Sequence, residues 1–264
     1  MTAGTAPGRF ETGRVLARAY RIFRRRPLTL VALSVLFSGL PSLVTGYVNI
    51  HFSSGALSPT APTDWRALVA SFAIVESVAI LAASCGYLLQ AAATVCAIQV
   101  QTRSEDGLSA TMSTVIRRAP ILLLVGLVSQ LGVLVGELAF LVPGVLLALA
   151  WAVVAPVATL EPLGLVATLR RSAALTRGSR GAIFGIMLLY GLATVVFNLV
   201  LRGVAGVSLV DPAANTSTLL NFIINPVSLV IWGTVWAVVT AAIYFELRWL
   251  KEGVEAGGVA AVFD

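Results

Sequence analysis

Long uncharged apolar runs alternate with short basic stretches along the chain. The first run covers 28–49, and its polar members, such as Ser34 and Thr45, can bond to their own helix backbone. A turn-rich segment follows, "HFSSGALSPTAPTD". From Trp65 to Gln101 there is no proline and one mid-run acid, Glu76. As one helix this stretch is about 55 Å long, against a bilayer core of about 30 Å. The span is therefore placed at 77–100, with 65–76 as its outer extension. Residues 120–136 and 141–160 read as a tight hairpin around "GELAFLVPG". Residues 182–203 and 227–246 supply two more spans. The stretch 213–225, ending in Asn225-Pro226, reads as an outer interfacial segment, because proline breaks or kinks a helix. The pattern predicts an all-α fold: a polytopic membrane helix bundle with six transmembrane helices.

The basic stretches carry a second periodicity. At 100° per residue, Arg14, Arg18, Arg21 and Arg25 share one narrow wedge, with Leu16, Ala19, Tyr20 and Phe23 opposite. Between spans four and five, Glu161-Pro162 opens a helix over 163–178. Leu165, Val166, Leu169 and Ala173 form its apolar stripe, and Arg170 and Arg177 another face, with Arg171 beside them. A weaker case is "DGLSATMSTVIRRAP" at 106–120. These read as amphipathic helices at the cytoplasmic headgroup layer, where each arginine near anionic lipid contributes about 1 kcal/mol. The junction "RRRPLTLVALSVL" (24–36) is similar to "RRAPILLLVGLVS" (117–129). "TRGSRGAIFGIML" (176–188) keeps the arginines without the proline. Either a threefold repeat of interfacial helix plus hairpin or the basic bias of one membrane face accounts for this. The domain division is a basic N-terminal segment at 1–27, a six-span domain at 28–250 and a tail at 251–264.

Composition agrees. The 264 residues are 58% hydrophobic and only 11% charged, against about 25% charged in a soluble domain. The net charge of +6 does not point to nucleic acid, because sixteen of the eighteen basic residues fall in four connections that share one side. Only Arg66 and Arg202 lie on the other. That bias places both termini on the cytoplasmic side of the membrane. The charged lead before the first span lacks a small-residue cleavage site, so that span is read as retained.

Little chemistry is legible. Cys85 and Cys96 lie about 16 Å apart on one helix and cannot bridge. His51 is the only histidine, which leaves no Cys/His metal set. Glu76, Glu137 and Glu161 read as interfacial or capping acids. Glu161 has the further option of an ion pair with Arg170, Arg171 or Arg248. Gln90, Gln99, Gln130, Asn198 and Asn221 are interhelical glue or the lining of a permeation path. Gly132/Gly136 and Gly181/Gly185 have the spacing of close helix contacts. Pro156 marks a bend or a hinge. The nucleotide-loop, zinc-protease, CxxC and GxSxG patterns are absent. No catalytic residue, cofactor or metal is expected.

The stretch "LVPGVLLALAWAVVAPVATLEPLGLVATLRRSAALTRGSRGAIFGI", with Pro143-Gly144, Pro156, Glu161, Arg170-Arg171-Ser172 and Gly178, resembles a family of bacterial six-span proteins. These are the membrane domains associated with glycerophosphoryl diester phosphodiesterases, and related inner-membrane proteins. The ends "FETGRVLARAYRIFRRRP" and "YFELRWLKEG" resemble it too; Pro162 departs from it. The resemblance implies no catalytic residues, because the phosphodiesterase domain is not in this sequence. Three readings of function follow. The first is a non-catalytic membrane protein that contacts lipid, with anionic headgroups at the arginines, or a membrane-protein partner or a second copy. The second is a small transporter or channel. The third is an embedded enzyme acting on lipid headgroups.

Overall fold

The computed structural model describes residues 10–56, 65–102, 107–207 and 217–253. Every element among them is a helix. Six are long and apolar enough to cross a membrane: Pro27–Phe52, Leu68–Thr102, Leu108–Ala139, Leu141–Leu160, Arg180–Val204 and Leu220–Glu252. The chain is a multi-pass membrane protein and an all-α bundle. The spans are built from α2 (Pro27–Ser34) with α3 (Leu40–Ala56), α4 (Trp65–Thr102), α5 (Leu108–Ala139), α6 (Leu141–Ala150) with α7 (Val154–Leu160), α9 (Arg180–Val204) and α10 (Asn225–Glu252). Two short helices, α1 (Thr12–Arg25) and α8 (Leu165–Thr176), sit at one end, called here the basic end. Arg103, the loop over 57–64 and the tail from 254 lie outside the described residues.

Two expected boundaries move. Residues 108–119 are no separate interfacial helix. They run unbroken into the third span through Pro120. Tertiary packing overrides the proline: Val115 and Thr111 are fully buried, and Gln99 on α4 donates to the Thr111 hydroxyl at 3.2 Å. The stretch before Pro226 is likewise part of the last span. A wide π turn over Leu220–Ile224 leads straight into α10. An equivalent turn, Val35–Gly39, lies inside the first span. Each turn ends two residues before a proline, Pro41 or Pro226. Proline donates no hydrogen bond and its ring meets the carbonyl four residues back. Widening the helix by one residue moves that carbonyl aside.

The fourth span is interrupted rather than straight. A turn over 151–153 separates α6 from α7, just ahead of Pro156. The break is filled from both sides. Trp151 lies over Gly132, where an added Cβ would come within 2.6 Å of the indole. Gly136 meets the Gly144 backbone at 2.8 Å by the same measure, so the Gly132/Gly136 pair is a true close contact. Gly181 and Gly185 are not one, since a Cβ at either would meet open space. All seven residues of α7 are buried. Around it the basic half packs tightly on small side chains, including Ala92, Ala93 and Ala97 of α4 and Ala237, Ala241 and Ala242 of α10.

Candidate functional site: a charged ring and an uncharged cleft

At the basic end, α8 docks by a face the periodicity did not single out. Its buried residues are Thr168, Ser172, Leu175 and Thr176, while Val166 of the expected stripe is 57% exposed. The reason lies in the broken helix. The Ala150 carbonyl at the break accepts from Ser172 Oγ at 2.9 Å and Thr176 Oγ1 at 3.3 Å. A freed carbonyl at membrane depth needs a donor, and the hydroxyl face of α8 supplies two.

Glu161 and Arg171 meet. Arg171 Nε donates to Glu161 Oε2 at 2.9 Å, and its Nη2 donates to Glu252. Arg248 Nε donates to the other oxygen of Glu252 at 2.8 Å and reaches the Tyr244 hydroxyl at 3.4 Å. That hydroxyl donates to Glu161 Oε1 at 3.1 Å, which closes a ring of five side chains. Burial pulls the Arg171 pKa down, but hydrogen bonds to Glu161 and Glu252 outweigh it and hold the guanidinium above the ordinary arginine range. The capping alternative for Glu161 is not realised, since Gly164 is the N-cap of α8. Arg170 and Arg177 are exposed and outside the ring.

The N-terminal helix divides its wedge. Arg14 and Arg18 turn to the bundle, where Arg14 donates to Glu246 Oε1 through Nη2 at 2.7 Å and Nε at 3.0 Å. Arg18 Nη1 lies 3.7 Å from Oε2, and Arg14 stacks 4.7 Å above the Trp249 ring. Hydrogen bonding to Glu246 raises the Arg14 pKa. Glu246 is completely buried and was not singled out in the sequence. The available signal was an acid in the last turns of an apolar run, at the end where the arginines gather. Val15, Ala19 and Ile22 pack inward, whereas Leu16, Tyr20 and Phe23 are exposed beside Arg21 and Arg25.

The opposite half differs. A cleft of about 720 Å³ lies between spans one, two, three, five and six. Ser38, Ser42, Thr45 and Asn49 line it from the first span, Gln90 from the second and Gln130 from the third. Tyr190, Thr194 and Asn198 come from the fifth, and Asn221, Asn225, Ser228, Trp232 and Trp236 from the sixth. Both π turns border it, through Ser38 and Asn221. Gly46 holds its wall tight: a Cβ there would fall 2.6 Å from the Asn221 carbonyl oxygen. That approach lets Asn49 donate to Asn221 Oδ1 at 3.1 Å. Tyr190 bridges the fifth and sixth spans, donating to the Trp232 carbonyl at 3.1 Å and packing on Trp236 at 4.9 Å between ring centroids.

Some lining groups are thus interhelical glue; others are not. Asn198 bonds within its own helix to the Thr194 carbonyl. The side chains of Gln90, Gln130 and Asn225 bond to no described residue, and the buried Trp232 Nε1 has no partner there. In hydrocarbon an unpaired polar group costs several kcal/mol. Three amides facing one space therefore favour polar contents. Among the described residues no carboxylate, guanidinium, ammonium or imidazole lines the cleft. It ends at Leu89, Gln90 and Trp236, above the alanine-packed basic half. Glu76 and Glu137 are not among its lining residues. No family model, curated protein or solved structure matches the chain.

Proposed function

We propose that the chain is a non-catalytic protein of the bacterial cytoplasmic membrane that holds a membrane amphiphile in the cleft. The resemblance to the phosphodiesterase-associated membrane family fits a role within the membrane. One observation carries the reading: the amide side chains of Gln90, Gln130 and Asn225, which bond to no described residue, converge on a cleft of about 720 Å³ among the spans, a size in the usual range of small-molecule sites of about 300–1,000 Å³. Against catalysis at the basic end stands the closure of the ring there. Glu161, Arg171, Glu252, Arg248 and Tyr244 are all partnered by one another. The basic end faces the cytoplasm with both termini, by the sixteen-to-two bias of arginine and lysine. Exposed Arg21, Arg25, Arg170 and Arg177 then lie at anionic headgroups.

Native mass spectrometry of the protein extracted with its lipids tests the reading. Retained lipid that disappears on substitution of cleft residues is expected; a lipid-free protein would overturn it. Reporter fusions at Gly107, Ser179 and Gly253 should report cytoplasm, and fusions at Phe140 and Gly206 the outside. Transport is the second reading, favoured by the fifth span: Ile183 and Ile186 are its only buried residues, and it forms one cleft wall. Solute flux in proteoliposomes that requires this wall to move would favour it.

A further inference from the structure

Resting on the cleft as the binding site, we propose that its ligand is a neutral polyhydroxyl group, supplied as the glycosyl headgroup of a membrane lipid or as a free sugar. The chemistry of the lining selects this class. With no charged side chain among the described residues of the wall, a phosphate or carboxylate finds no counter-charge there, and an ammonium group finds no carboxylate. Leaving either charge unpaired at this depth is unfavourable. What the wall offers is amide. Gln90, Gln130 and Asn225 each present two N–H donors and a carbonyl acceptor, and none of them bonds to a described residue. A hydroxyl both donates and accepts, so it matches an amide at either end.

The second feature is aromatic. Tyr190 lies 5.5 Å from Trp232 and 4.9 Å from Trp236, and all three rings line the cleft. A sugar ring carries C–H groups on its faces and hydroxyls around its rim. Rings that present an apolar face beside a polar edge suit it. The cleft lies within the spans, and its wall includes Val75, Ala79 and Leu229. An acyl chain can follow such a wall while the headgroup meets the amides.

The full chain, purified in detergent, is offered an equimolar mixture of diglucosyl diacylglycerol, phosphatidylglycerol and phosphatidylcholine and examined by native mass spectrometry. Raised salt removes phosphatidylglycerol held only by the exposed arginines. The glycolipid should be retained about tenfold over either phospholipid: phosphatidylcholine offers no headgroup hydroxyl to the amides, and both phospholipids bring a phosphate charge into an uncharged lining. The double variant Gln90→Met with Gln130→Met keeps side-chain volume and should abolish that preference. Should the variant not fold, the wild-type comparison still decides. Maltose, followed by tryptophan fluorescence, separates the sources: competition with the glycolipid assigns a free sugar, and no competition assigns the lipid headgroup. Salt-resistant retention of phosphatidylglycerol or phosphatidylcholine at or above the glycolipid would overturn the neutral-ligand inference and leave the cleft as a lipid site. Retention of no lipid and no maltose response would overturn both.

Discussion

The two halves of this bundle handle polar groups in opposite ways. In the basic half the buried and partly buried carboxylates among the described residues meet their complements: Glu246 meets Arg14 and Arg18, and Glu161 and Glu252 share Arg171. Around these pairs alanines bring the helices close and leave no space. In the opposite half the described lining carries no charge, and the amides of Gln90, Gln130 and Asn225 face a cleft instead of each other. A buried charge left unpaired is far costlier than a neutral amide. The half rich in charge must therefore close on itself, while the uncharged half can keep groups open for a ligand.

The sharpest way to break this contrast is to strand a charge. Arg14→Met with Arg18→Met leaves the fully buried Glu246 without its partners. It should lower the thermal midpoint more than any other change named here and raise hydrogen exchange across 12–25. An unchanged exchange rate in α1 would show that its apolar face alone holds it. Packing gives the next test. Ala92→Leu, in the closed half, should cost about 1–3 kcal/mol by overpacking. Ala79→Leu, on the cleft wall, should stay within about 0.5 kcal/mol of wild type yet reduce lipid retention. Equal costs in thermal unfolding would erase the difference between the halves.

Glycine substitutions sharpen the comparison at smaller scale. Gly136→Ala presses on the Gly144 backbone and should destabilise by about 1–2 kcal/mol. Gly185→Ala meets open space and should be neutral or stabilising by up to about 1 kcal/mol, as expected for alanine in a helix interior. A comparably small effect belongs to Glu161→Gln, which loosens a partly exposed ring and should cost below about 1 kcal/mol. Protease access across 163–178 should rise modestly. The sign with pH follows from Arg171, whose pKa is raised. Its contribution is complete below the ordinary arginine value and is lost only in strong alkali. Raising the pH to about 10 should leave the arginine's side of the pair intact.

What the sequence determined by itself was the membrane, the six spans and the concentration of arginine at one end. Each follows from local composition: an apolar run long enough to cross, and charge that must stay outside it. Glu161 was legible for the same reason, as a lone acid at a span boundary. Its partner among three candidate arginines was not, because Arg171 is selected by how α8 docks. That docking turns on the Ala150 carbonyl, freed by a break in the fourth span and capped by Ser172 and Thr176. The two glycine pairs have identical spacing, yet only Gly132/Gly136 has a helix against it. Glu246 lay unremarked in an apolar run until the fold carried Arg14 to it across 232 residues. The same holds for Gln90, Gln130 and Asn225, polar residues on three different spans. Local pattern assigns a residue to a helix and a depth. Which side chains then face one another across the bundle is decided by packing between distant segments, and only the tertiary structure supplies it.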